Sequence, residues 1–323
     1  MDAAPEARVG VIVERCPAGS CNTFGTTNFL DEVDPDPRHN LRVALPDGRR
    51  LGYAEWGTED GPTVFDFHGG PGSRLCPSGL PSTLEGLGLR WISVERPGIG
   101  LSDPHPNRCV ADWPLDVAEL ADQLGIDEFG VIGWSMGGPY AAATAAVLGD
   151  RVTAAGLLAP STFSPGLSET IEGKGKTGAW ELARDDPWTA VTLYTALGLE
   201  FRRDPDAASA MLAAGCSEPE LEVFALPEVH DLVVQMMLEA NRQGAFGFVE
   251  DQRVDINPWG FDVTAITASV HVWEGTEDSF STAGVVQGWV DAVPNGTLHT
   301  LPGEGHPFPF THTQQMAATL FKH

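Results

Sequence analysis

Short strand-like runs, several of them continuously apolar, alternate with stretches of helical period along most of this 323-residue chain. A run of that kind, too short for a typical helix and without polar alternation, suits a strand buried on both faces, as in parallel sheets. The runs are "LRVALPDG" and "RRLGYAEWG", joined at the turn Pro46-Asp47-Gly48, then "PTVFDFHGG", "RWISVERPG", "FGVIGWS", "TAAGLLAPS", "SVHVWEG" and "GTLHTLPG". Between them, Val117, Leu120 and Leu124 predict a helix over 110–124 that stops at Gly125. The Ala-rich "GGPYAAATAAVLG" predicts another, 283–293 a third, and 313–321 a closing one. The pattern predicts an α/β fold, a mostly parallel sheet with helices on both faces.

Two stretches break the rhythm. Residues 1–40 are rich in Pro, Asp, Gly and Thr and read as an N-terminal extension with little regular structure. Residues 163–250 carry helical periodicity, as in "VHDLVVQMMLEANRQG", without a convincing strand. The expectation is an inserted helical cap at 163–250, between core segments 41–162 and 251–323.

Composition narrows the partners. No stretch approaches the roughly 20 apolar residues of a membrane span. The first ten residues hold Asp2 and Glu6 and no apolar run, so a cytoplasmic location is expected and a secretory signal is not. A net charge of −26 repels nucleic acid and anionic membranes, and neither is expected as a partner. Lysine occurs only at 174, 176 and 322, which fits either a salty cytoplasm or a GC-rich coding bias. Cys16 and Cys21 bracket a Pro-Gly loop that fits a disulfide or a metal clip, but free thiols are expected without a signal peptide. With no CxxC and no HExxH, neither a metal nor another cofactor is expected.

Gly133-Trp134-Ser135-Met136-Gly137 matches G-x-S-x-G. In a chain with 37 glycines the pattern alone is weak, and a chemically inert Gly-Ser turn would look the same. Its setting is more specific: it follows the strand "FGVI" and opens a helix, the strand–turn–helix context of a nucleophile elbow. Glycines two positions either side let strand and helix approach without a Cβ clash.

A serine hydroxyl needs a base to remove its proton as it attacks. Of nine histidines, His306 in "LPGEGHPF" lies in a Gly-flanked loop after the last predicted strand, at the carboxyl edge of the sheet. His271 and His299 fall inside predicted strands, and His39, His312 and His323 in terminal or helical segments. His105 follows another loop near the same edge. The acid that orients the base is expected at Asp278 in "VWEGTEDSF", with Glu277 as an alternative and Glu274 close by. Chain order Ser135, Asp278, His306 agrees with that of this triad class. A solvated acidic loop is the plainer explanation of three acids together.

"FHGGPGS" follows the third predicted strand. Attack on a carbonyl places negative charge on its oxygen, which fixed backbone N–H groups stabilise. One donor is expected at Gly70, or Gly69, and the other at Met136. His68 is expected to hydrogen-bond within the loop and, with Trp134, to border the substrate pocket.

"HGGPGS", "ERPGIGLSD", "GWSMGG", "EGTEDSF" and "LPGEGHP" stand in the order and spacing of the α/β-hydrolase superfamily, which the chain resembles from about Leu41 to Phe321. The resemblance implies an eight-stranded sheet, a cap after the sixth strand, no cofactor, and a triad at the positions above. The His68-Gly69-Gly70-Pro71-Gly72 run resembles the oxyanion loop of proline iminopeptidases. That family follows its fourth strand with Asp-Gln-Arg-Gly where this chain has Glu95-Arg96-Pro97-Gly98, and it uses cap acids to hold a free amino terminus. Glu181, Glu200, Glu222 and Glu239 are acids of this cap, none matched to that role. Dehalogenases and epoxide hydrolases of this fold attack with Asp, and position 135 is Ser.

The expected activity is hydrolysis of a small ester, less readily an amide, through an acyl-enzyme on Ser135. A proline iminopeptidase-like aminopeptidase and a C–C bond hydrolase are alternatives. A non-catalytic small-molecule receptor is the rival of another class. The expected partner is a small-molecule ester or a short peptide.

Overall fold

The computed structural model describes residue 34, residues 36–161 and residues 177–321. Cys16, Cys21, nearly all of the expected extension and the first part of the expected cap lie outside the described residues. The eight apolar runs form one sheet: β1 (Leu41–Ala44), β2 (Arg50–Gly57), β3 (Thr63–Phe67), β4 (Arg90–Val94), β5 (Phe129–Trp134), β6 (Val152–Leu158), β7 (Ser269–Gly275) and β8 (Gly296–Leu301). Their order is β1-β2-β4-β3-β5-β6-β7-β8, with β2 antiparallel to both neighbours and all other pairs parallel.

The helices are α1 (Pro81–Leu84), α2 (Trp113–Gln123), α3 (Gly138–Val147), α4 (Thr177–Asp185), α5 (Pro187–Arg203), α6 (Pro205–Leu212), α7 (Glu218–Phe224), α8 (Pro227–Ala240), α9 (Phe246–Asp255), α10 (Ala283–Ala292) and α11 (Pro309–Leu320). Period-2 alternation on the central strands feeds two separate cores. Phe65, Ile92, Val94, Phe129 and Val131 pack with Val117 and Leu120 of α2, alanines of α3, and Val286 and Trp289 of α10. Val64, Trp91, Ile132 and Trp134 face the other way, toward Leu84 of α1 and Phe310, Met316 and Leu320 of α11. That second core continues into Val229, Leu232, Val233 and Met236 of α8, so the helices inserted after β6 share it with the sheet.

Two boundaries differ from the sequence expectation. The helical insertion runs through α9 to Asp255, five residues past 250, because Val249 and Val254 have buried faces to satisfy. The closing helix begins at Pro309 rather than Thr313; proline at the first helical position is preorganised for the helix and lacks only an N–H that would have no partner there. No helix of the described residues is long and apolar enough to cross a membrane.

Parallel pairing aligns the carboxyl ends of the strands. Phe67 of β3 pairs with Gly133 of β5, and Gly275 of β7 with Leu301 of β8. The segments leaving β3, β5, β7 and β8, which carry His68, Ser135, Asp278 and His306, therefore emerge along one edge.

Candidate active site

Ser135 has φ +53°, in the left-handed region that a non-glycine residue rarely adopts. The strain is enforced by the packing of its neighbours. A Cβ at Gly133 would collide with the Gly137 carbonyl, and one at Gly137 with the Phe67 carbonyl. The turn runs through a 3-10 segment, Ser135–Gly137, into α3. The N–H groups of Met136 and Gly137 thus lie in a first helical turn, where no intrahelical acceptor exists and the helix dipole favours negative charge.

His306 sits between β8 and α11, its ring flanked by Trp134 and Phe280 at centroid distances of 5.5 and 4.9 Å. Its Nδ1 lies 2.8 Å from Asp278 Oδ2. A carboxylate can only accept, so Nδ1 carries the proton and Nε2 is left as the basic nitrogen. Asp278 Oδ1 accepts from the Phe280 and Ser281 N–H groups at 2.6 and 2.7 Å. With a side chain 1% exposed, Asp278 is the acid of its loop that reaches His306. Glu277 is exposed, and Glu274 accepts from Thr300 Oγ1 at 2.9 Å. His271 and His299 pair with each other at 2.8 Å on β7 and β8, away from this edge.

The glycine loop lies against the serine: a Cβ on Gly69 would sit 3.4 Å from Ser135 Cβ, and one on Gly70 would collide with Met136 Sδ. The loop is held from behind by Arg96, two residues past the end of β4. Its Nη1 donates to the His68 carbonyl at 2.5 Å, Nη2 to the Gly69 carbonyl at 2.9 Å, and Nε to Asp251 of α9 at 2.7 Å. Asp251 also accepts from Arg108, which in turn donates to the Tyr140 hydroxyl at 2.9 Å. In a trans peptide the carbonyl and the following N–H point opposite ways. Fixing the carbonyls of residues 68 and 69 therefore fixes the N–H vectors of Gly69 and Gly70. Burial would raise the Asp251 pKa, but Arg96 and Arg108 together hold it below the usual carboxylate range.

His68 corrects an expectation. It is buried and absent from the cavity lining; its Nδ1 bonds the Gly69 carbonyl at 2.8 Å and its Nε2 accepts from the Arg96 N–H at 3.3 Å. Burial, reinforced by the Arg96 charge, pushes its pKa down to about 3, so the ring is neutral with both nitrogens engaged.

Ser135, His306, Gly69, Gly70, Trp134, Ser161 and Ser281 open on one cavity of about 120 Å³, closed on its far side by residues of the insertion. Trp180, Leu212, Phe224, Val233 and Met236 supply apolar walls, with Ser209 and His230 as polar exceptions. Among the described residues no carboxylate, lysine or arginine lines it. Glu181 and Glu222 are exposed, Glu200 pairs with Arg203, and Glu239 is buried against Arg74 and Arg242.

Sequence reasoning missed Asp251, one residue past the assumed end of the cap, and missed what Arg96 holds. It also missed Glu220, whose only local signal is Ser217-x-x-Glu220, half of a helix capping box.

The alpha/beta hydrolase fold family model matches residues 62–313. A "Serine hydrolase-like protein" of Danio rerio is 32% identical over 133 residues, 39% of this chain and 39% of that protein. A "Proline iminopeptidase" of Xanthomonas citri is 30% identical over 118 residues, 36% of this chain and 37% of that one. The chain thus aligns with about two fifths of the length of these curated relatives. Among solved structures, a thermophilic esterase from Thermogutta terrifontis superposes with TM-score 0.58 at 23% identity, covering 86% of this chain and 96% of that one. A family match spanning most of the chain joins an eight-stranded sheet of the matching topology: the chain belongs to the α/β hydrolase fold family.

Proposed function

We propose that this protein is a serine hydrolase cleaving esters of small, largely apolar molecules, with Ser135 as nucleophile, His306 as base and Asp278 as orienting acid. The observation that carries the reading is the convergence of Ser135, at its strained turn, and the Asp278-bound His306 on one apolar cavity. Ser135 Oγ attacks the ester carbonyl as His306 Nε2 takes its proton, and the carbonyl oxygen becomes an oxyanion. The N–H groups of Met136 and of Gly70 or Gly69 stabilise that charge. As the tetrahedral intermediate collapses, the C–O bond breaks and His306 returns the proton to the departing alcohol. Water, activated by the same imidazole, then releases the acid from Ser135 by the reverse sequence. Asp278 keeps the imidazole in the required tautomer and stabilises its positive form.

The helices α4–α9 are read as the cap that closes the cavity over the substrate. Among the described residues the lining holds no carboxylate, which favours an ester over a peptide with a free amino terminus, since a buried ammonium needs a paired charge. Similarity to a proline iminopeptidase supports the aminopeptidase as the second reading.

A turnover panel separates them. p-Nitrophenyl acetate and butyrate are expected to be cleaved, with loss on the order of 10³-fold or more in Ser135→Ala, while proline p-nitroanilide is expected to be a poor substrate. Fast anilide cleavage would instead establish the aminopeptidase. No turnover by folded wild type would shift the assignment to a C–C hydrolase or a receptor.

A further inference from the structure

Glu220 belongs to α7 of the insertion, yet its carboxylate is spent on the edge of the sheet. It is fully buried. Oε1 accepts two backbone N–H groups, from Ser279 at 2.9 Å and from His306 at 3.0 Å, while Oε2 accepts from Ser217 at 2.7 Å. Ser279 follows Asp278 directly. One carboxylate oxygen therefore bridges the backbones of the two loops whose side chains meet in the Asp278–His306 hydrogen bond. Gly305 makes room for the bridge, since a Cβ there would collide with Glu220 Cγ.

The remaining contacts of the pair leave this bridge a distinct task. The Phe280 and Ser281 N–H groups set the Asp278 side chain within its own loop, and Trp134 Nε1 holds the His306 carbonyl at 3.2 Å. Neither of these ties the Asp278 loop to the His306 loop; the Glu277 N–H does so at the Glu304 carbonyl and the Gly303 N–H at Thr276 Oγ1, each at 2.9 Å, while Glu220 ties them at Ser279 and His306 themselves. The bonds are charge-assisted and well shielded, which favours rigidity. Burial would raise the Glu220 pKa, but hydrogen bonds from Ser279, His306 and Ser217 outweigh it and hold the group below its usual value. The clamp is thus ionised at neutral pH.

We infer that Glu220 is a positioning residue for His306 and Asp278, so that the geometry of the base depends on α7 being seated. The inference rests on the triad reading above. A cap that lifts α7 away removes the tie between the Ser279 and His306 backbones, beside the pair itself, and the base is fully positioned only when the cap is docked. Glu220 is not among the residues that line the cavity.

The test compares Glu220→Ala and Glu220→Gln in the full chain, with p-nitrophenyl butyrate as substrate. Proton NMR follows the far-downfield resonance of the His306 Nδ1–H held by Asp278. Misplacement of a catalytic group by about 1 Å costs on the order of 10²-fold. Glu220→Ala is therefore expected to lower kcat by about 10²-fold with KM within about threefold, and to lose the downfield resonance. Glu220→Gln, which keeps an acceptor oxygen facing Ser279 and His306, is expected to recover kcat to within about tenfold of wild type and to retain the resonance. An Ala variant that keeps both kcat and resonance overturns the inference, as does a rise in KM alone. If Ser135→Ala leaves turnover intact, the triad reading fails, while the resonance still decides whether Glu220 holds the pair.

Discussion

At the scale of single residues, His68 makes the loop hydrogen bonds expected of it but does not border the pocket as expected. Its place in a glycine loop beside the elbow suggests a pocket residue. Its two ring nitrogens are instead committed to the Gly69 carbonyl and the Arg96 N–H. A consequence follows for acid stability. The unfolded ring titrates near its ordinary value of about 6.5, whereas the folded one stays neutral down to about 3. Between those values the unfolded chain binds the extra proton, so stability falls as pH falls, by about 1.4 kcal/mol per unit. Between pH 7 and pH 5 this residue should cost about 2 kcal/mol. Denaturant melts of wild type and His68→Asn at the two pH values should show a shallower loss in the variant; equal losses would mean that the imidazole is not held neutral. Asp278 teaches a related lesson. Local pattern narrows the acid to a cluster of three, but side-chain direction selects among them. Glu277 points to solvent one residue away, and nothing in the composition of the loop distinguishes the two.

Among elements, the central strands were the most legible, because burial on both faces, as in β5, writes a continuous apolar run that few other structures need. The elbow was legible for the same reason: the glycines at 133 and 137 answer a collision, not a preference. Helix ends were less so. The closing helix α11 begins at Pro309, four residues before the expected start at Thr313, and α9 extends beyond the assumed cap. The contacts between elements were not legible at all, since Arg96 with Asp251 and Glu220 with His306 are pairs separated by 155 and 86 positions. The hold of β4 on the loop after β3 can be tested directly. In Arg96→Lys a single ammonium cannot fork across the His68 and Gly69 carbonyls while also meeting Asp251. With the glycine N–H groups no longer aimed, kcat for p-nitrophenyl butyrate should drop by roughly 10²-fold with little change in KM, as for loss of one oxyanion donor. A rise in KM at constant kcat would assign Arg96 to substrate binding or to folding alone.

For the molecule as a whole, order along the chain does much of the work. Ser135 after β5, Asp278 after β7 and His306 after β8 fall along one edge because the strands between them run parallel. The insertion between β6 and β7 supplies the opposite wall, and Glu220 of α7 accepts from the Ser279 and His306 N–H groups at the sheet edge. The net charge of −26 is the feature most visible in the composition, yet among the described residues no carboxylate, lysine or arginine lines the cavity. The central claim, that Ser135 is a nucleophile activated by His306, is tested most directly by a fluorophosphonate probe followed by peptide mass spectrometry. One adduct per chain is predicted, on the peptide carrying Ser135, absent in Ser135→Ala and formed on the order of 10³-fold more slowly in His306→Ala. A folded protein that takes up no probe, or takes it up at another residue, would contradict the claim.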